Sequence, residues 1–136
     1  MAGADAQLWG QREHGNAPMV EVVCHCGAAR LDVPTAPTEV SECNCSICRR
    51  TAARWAYYSP REVTLPDGRR TEAYVWGDRM LAFHRCRTCG CLTHWQSLDG
   101  TQERMAVNAR LMDLDWNGIR IRQFDGAATW AYLDEA

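Results

Sequence analysis

Eight cysteines gathered into three short clusters restrict this chain more than any other feature: Cys24 and Cys26; Cys43, Cys45 and Cys48; and Cys86, Cys89 and Cys91. The opening residues, Met1 to Pro18, are polar and mixed in charge. They lack the basic start and apolar stretch of an export signal, so the expected compartment is the cytoplasm. Disulfides are rare there, and closely spaced thiols in such a setting read as metal ligands or reactive groups. A chain that gathers distant thiols around an ion must bring the segments carrying them together, which narrows the folds open to it.

Zinc takes four tetrahedral ligands, with sulfur at about 2.3 Å. Cysteines one or two residues apart can share one ion if the backbone between them turns tightly. Cys86-Arg-Thr-Cys89-Gly90 has the form of a zinc knuckle, with glycine where such a turn needs positive φ. Cys24-His-Cys26-Gly27 also ends in glycine. Two such turns would make a closed, structural four-thiolate site. Cys43-Asn-Cys45-Ser-Ile-Cys48 offers three thiols within six residues and no glycine. Three protein ligands with an exchangeable fourth position is the pattern of a catalytic zinc. That position could take water, a substrate atom or Cys91; with Cys91 the site would be closed and structural, while Cys91 could equally pair with the knuckle beside it or stay free. The expected cofactor is therefore zinc, one ion structural and one labile or catalytic.

Between the clusters the pattern is that of a mainly β domain. Strands are expected at Met19–Cys24, Ala29–Val33, Trp55–Tyr58, Ala73–Trp76, Met80–Phe83, Leu92–Gln96, Met105–Val107 and Ile119–Phe124. Gly77-Asp78-Arg79 marks a hairpin. Short helical turns are expected from Cys48 through Ala53 and over Ala109 to Asp115. Residues 1–18 read as a flexible leader and residues 19–136 as a single zinc-binding domain. With 136 residues, 46% of them apolar, the domain can bury a core without relying on metal alone. A formal net charge of −2 gives no general attraction to nucleic acid or to an anionic membrane, and no apolar run is long enough to span one.

Cys24-His-Cys-Gly27, Cys43-Asn-Cys-Ser-Ile-Cys-Arg-Arg50, Cys86-Arg-Thr-Cys-Gly-Cys-Leu-Thr-His-Trp95 and Ala106-Val-Asn-Ala-Arg110 occur in that order. In this the chain resembles the glutathione-dependent formaldehyde-activating enzyme family, which is itself related to centromere protein V. The resemblance implies stacked, twisted antiparallel sheets in a β-tent-like arrangement around a structural four-cysteine zinc site. It implies that Cys24, Cys26, Cys86 and Cys89 hold that ion and that Cys43, Cys45 and Cys48 hold the functional one. It also implies carbon–sulfur lyase chemistry, the joining of glutathione and formaldehyde into S-(hydroxymethyl)glutathione.

The residues bear on that chemistry directly. A coordinating zinc deprotonates a thiol, but three thiolates already on the ion blunt its Lewis acidity. Thiol positioning is therefore favoured over carbonyl polarisation. A tripeptide with two carboxylates needs cationic partners, for which Arg49, Arg50, Arg54 and Arg110 are candidates, each weighed against a solvated surface charge. His94 is the candidate proton shuttle, weighed against a satisfied core histidine. His14 and His25 read as non-ligands and His84 as structural. The partner expected is a small-molecule thiol. Two other readings remain: a zinc-ribbon-type binding module using the Arg-rich strand Ile119–Arg122, and a structural scaffold without catalysis.

Overall fold

Short runs of β-branched and aromatic residues, stopped by glycine, proline or aspartate, form nine strands in the computed structural model, which describes residues 19–99 and 103–135. They are β1 (Val20–Val23), β2 (Arg30–Val33), β3 (Glu39–Cys43), β4 (Trp55–Tyr58), β5 (Thr71–Val75), β6 (Leu81–Cys86), β7 (Leu92–Ser97), β8 (Met105–Asn108) and β9 (Arg120–Phe124). One helix longer than a single 3₁₀ turn is present among the described residues, α1 (Ser46–Thr51). The expected leader, residues 1–18, lies outside the described residues.

β1 and β2 make a separate antiparallel pair, Val20 opposite Val33. The other seven strands form one sheet in the order β5-β6-β7-β8-β4-β3-β9. Within it β3 and β9 run parallel, Glu39 opposite Arg120 and Cys43 opposite Phe124, while the other pairs are antiparallel. β3 has no counterpart in the sequence reading. Glu39-Val-Ser-Glu-Cys43 holds a single aliphatic residue, and its neighbours come from distant stretches of chain.

Because side chains alternate along a strand, the large sheet has two distinct faces. Val40, Ala56, Tyr58, Met105 and Val107 point one way and pack against Val22, Leu31 and Val33 of the small sheet, which makes the fold two stacked sheets. Trp55, Phe83, Trp95 and Ala106 point the other way and cluster with Cys48 and Ala53. Cys43, Cys45, Tyr57 and Leu92 pack on the same side. The aromatic side chains of these strands thus divide between the faces, Tyr58 going with the aliphatic side.

Candidate metal centres

The first centre is built from two chain reversals. β1 runs into Cys24, where Gly27 takes φ +86° and donates its N–H to the Cys24 carbonyl at 3.1 Å. β6 ends at Cys86, where Gly90 takes φ +84° and donates to the Cys86 carbonyl at 2.9 Å. These two glycines are present for their backbone conformation, since a side chain at either would meet nothing within 4 Å. The reversals bring the sulfurs of Cys24, Cys26, Cys86 and Cys89 within 4.8 Å of one another. Cys24 and Cys26 are 3.8 Å apart, and Cys26 and Cys86 are 3.6 Å apart. A regular tetrahedron with ligands at about 2.3 Å has edges of about 3.8 Å, so the donor set fits a tetrahedral ion. Backbone N–H groups of Ala29, Thr88 and Cys89 point at the Cys24 and Cys86 sulfurs at 3.2, 3.3 and 3.5 Å. Such outer contacts orient metal-binding thiolates.

Cys91 packs beside this centre and not the other. It packs with Cys24, Ala29, Cys86 and Cys89, and its carbonyl accepts the Cys86 N–H at 2.9 Å. The sequence left Cys91 open as the fourth ligand of the three-thiol site, as a partner of the knuckle or as a free thiol; the tertiary structure puts it beside the four-thiol group.

The second centre lies where β3 passes into α1. Cys43 ends the strand, Cys45 caps the helix and Cys48 is its one buried residue. Their sulfurs lie within 4.8 Å of one another. The Cys45 side chain accepts no capping hydrogen bond from the helix, which leaves its sulfur free to turn inward. Trp55 donates its indole N–H to the Cys48 sulfur at 3.3 Å, and the Cys45 N–H points at the Cys43 sulfur at 3.4 Å. The hydrogen bond from Cys48, then the N–H groups of Cys45 and Gly126, hold the Cys43 thiol down to about 6. The same bond and burial push Cys48 up. One thiolate is therefore already favoured before any ion arrives.

The four arginines have separate fates. Arg49 and Arg50 are exposed on the last turn of α1, and Arg50 donates back to the Ser46 carbonyl at 2.8 Å. Arg54 instead donates to Glu42 at 2.6 Å and covers the Trp116 ring at 4.7 Å. Arg110 lies 3.6 Å from the same Glu42 carboxylate and donates its Nε–H to the Ala52 carbonyl. Gln123 and Arg54 hold Glu42 below the usual carboxylate range. Two of the expected cationic partners are thus engaged by a carboxylate that the sequence reading did not single out.

His94 is not brought to the three thiols. Its strand neighbour Trp95 lies in the Cys48 cluster, so alternation sends His94 to the opposite face, and its cross-strand partner Val107 belongs to the aliphatic core. It stacks on His84 with centroids 4.4 Å apart, and its ring nitrogens meet Thr93 at 2.8 Å and Gln96 at 3.2 Å. Burial, then the neighbouring His84, pushes it down to about 3. It is a neutral core histidine with both nitrogens partnered. His25 and His84 are in neither thiol cluster, and His14 lies outside the described residues.

With this geometry in view, the profile of the family described as "Glutathione-dependent formaldehyde-activating enzyme" matches residues 19–123. The chain belongs to the glutathione-dependent formaldehyde-activating enzyme family. Among solved structures it is similar to the crystal structure of a Rhodobacter sphaeroides protein, with 27% identity and a TM-score of 0.63 over 74% of this chain and 98% of that one. No curated protein matches it. Among the described residues no helix is long and apolar enough to cross a membrane. Family membership and thiol geometry agree: the matched region contains both cysteine groups, and each group could hold a metal ion.

Proposed function

We propose that this protein is a zinc-dependent carbon–sulfur lyase that joins glutathione to formaldehyde, or a related thiol to a related aldehyde, in the cytoplasm. The observation that carries the reading is the three-thiol group: Cys43, Cys45 and Cys48 converge with no fourth cysteine, since Cys91 packs with the other cluster. In the reading, Cys24, Cys26, Cys86 and Cys89 hold a structural zinc, and Cys43, Cys45 and Cys48 hold a second zinc with one position left for substrate. When bound there, zinc supplies a site that keeps an incoming thiol as its thiolate.

The chain's own residues do the rest. Arg49 and Arg50, exposed on the helix that carries Cys48, orient the carboxylates of the thiol substrate in bidentate fashion. Trp55 keeps the Cys48 sulfur in place through its indole N–H. The substrate thiolate then attacks the aldehyde carbon. The carbon–sulfur bond forms as the carbonyl π pair moves to oxygen, which takes up the proton that the thiol released. Arg54 and Arg110 are left out of this role because both face Glu42. His94 is left out because it lies on the other face of the sheet.

Calorimetric titration with glutathione, and with S-methylglutathione as a blocked control, tests the proposal. Glutathione should bind the wild type, bind Arg50→Ala about 10- to 150-fold more weakly, the range for loss of a charge-assisted hydrogen bond, and fail to bind Cys45→Ala. Equal binding of the blocked control would show that the thiol sulfur does not meet the site.

A further inference from the structure

The family profile ends at residue 123, yet the segment that follows lies directly on the three-thiol group. The approach is tight at Gly126. A Cβ built there would sit 2.5 Å from the Cys43 sulfur and 3.4 Å from Cys45 Cβ. Its backbone is outside the left-handed region, so this glycine is required by space and not by φ, the reverse of Gly27 and Gly90.

The segment is fastened to the site by Asn44, which stands between two of the thiols. Asn44 donates its side-chain N–H to Asp125 at 3.0 Å and accepts the Ala127 N–H at 2.9 Å. Its backbone N–H reaches the Phe124 carbonyl at 3.2 Å. The Asp125 carboxylate also accepts from the N–H and hydroxyl of Thr129 at 3.2 and 2.9 Å. Asp125 and Trp130 close the loop: the Trp130 N–H meets the Asp125 carbonyl at 2.7 Å, and the Asp125 N–H meets Ala131 at 2.8 Å. Trp130 is held at φ +58°, a conformation that bulky residues rarely adopt. Beyond the loop, the Tyr132 hydroxyl lies 2.6 Å from Ser41 Oγ, on the strand that ends in Cys43.

We propose that residues 124–132 act as a clamp on the three-thiol site, with Gly126 as the positioning residue that holds the Cys43 sulfur where a thiophilic divalent ion needs it. The proposal rests on the metal-binding part of the function given above. Its logic is geometric. Ordinary van der Waals contact begins near 3.4 Å. An alanine methyl at 126 would therefore have to displace the sulfur, or the loop, by close to an ångström. Metal–ligand distances tolerate only about ±0.2 Å.

The test is cobalt(II) titration of the full-length chain, followed by thiolate-to-metal charge-transfer absorption and by far-ultraviolet circular dichroism. Wild type should take up two ions of unequal affinity. Gly126→Ala should bind the weaker ion at least 10-fold less tightly, with an altered charge-transfer band, and keep the tighter ion. Asn44→Ala retains the glycine but unfastens the loop, and should weaken the same ion without touching the tighter one. It decides the matter if Gly126→Ala does not fold. Second-site affinity within twofold of wild type in both variants, or in Asn44→Ala alone if Gly126→Ala does not fold, overturns the clamp. A wild type that takes up only one ion overturns the functional reading as well, and the wild-type titration tells the two failures apart.

Discussion

Cys86→Ala should be far more damaging to the fold than Cys45→Ala, although each removes one thiol from a cluster. Cys86 is fully buried and sits at the reversal that joins β6 to β7, while its cluster partners Cys24 and Cys26 lie at the end of β1. An ion held by this group ties the small sheet to the large one. If losing one ligand weakens zinc binding a thousandfold, the native state gives up about 4 kcal/mol of linked stability. The Thr88 and Cys89 N–H groups lose the sulfur they point at, which adds about 1–2 kcal/mol. The sum, about 5–6 kcal/mol, is a large share of the roughly 7–20 kcal/mol typical for a domain this long. At about 3–4 °C per kcal/mol for this size, Tm should fall by about 15–24 °C. Cys45 is half-buried and makes no side-chain cap bond to α1. Its removal should cost under about 1 kcal/mol, or about 4 °C. Thermal melts followed by circular dichroism, with zinc measured by elemental analysis, check both numbers. A chelator should reproduce the Cys86→Ala shift in wild type and add little to the variant. Equal Tm losses in the two variants would refute the division into a structural and a labile centre.

Two further expectations follow from the polar groups. Burial holds His94 well below its ordinary value near 6.5, so the unfolded chain binds a proton that the folded chain does not. Stability is then complete above pH 6.5 and falls on acidification towards 3, by about 1.4 kcal/mol per pH unit for this group. Urea unfolding at pH 7, 6 and 5 should show that slope in wild type and a shallower one in His94→Gln; identical slopes would contradict it. Arg54→Ala should lower stability by about 1–2 kcal/mol, because it leaves Glu42 with only Gln123 and the more distant Arg110. It should leave glutathione affinity within twofold of wild type, and a large loss of affinity would return Arg54 to the binding site.

The cysteine spacing, the two glycines that close the Cys24 and Cys86 turns, and most strands were legible because each is local. A turn that needs positive φ and a strand that alternates both announce themselves within a few residues. β3 was not legible: Val40 is its only aliphatic side chain, and its partners are β4 and, running parallel, β9. Gly126 could be read as part of an Asp-Gly turn, but its contact with Cys43 spans most of the chain. The place of Cys91, the pairing of Arg54 and Arg110 with Glu42, and the face on which His94 falls were equally beyond reach. Each depends on which strands become neighbours and on which way a strand's alternating side chains face once they do. The sequence by itself determined the thiol clusters and the turns that carry them, because the spacing of nearby thiols is a matter of short-range backbone geometry. Only the tertiary structure decided which charges are neutralised, which thiols stand together and what lies over them, because those are settled by the packing of segments far apart in the chain.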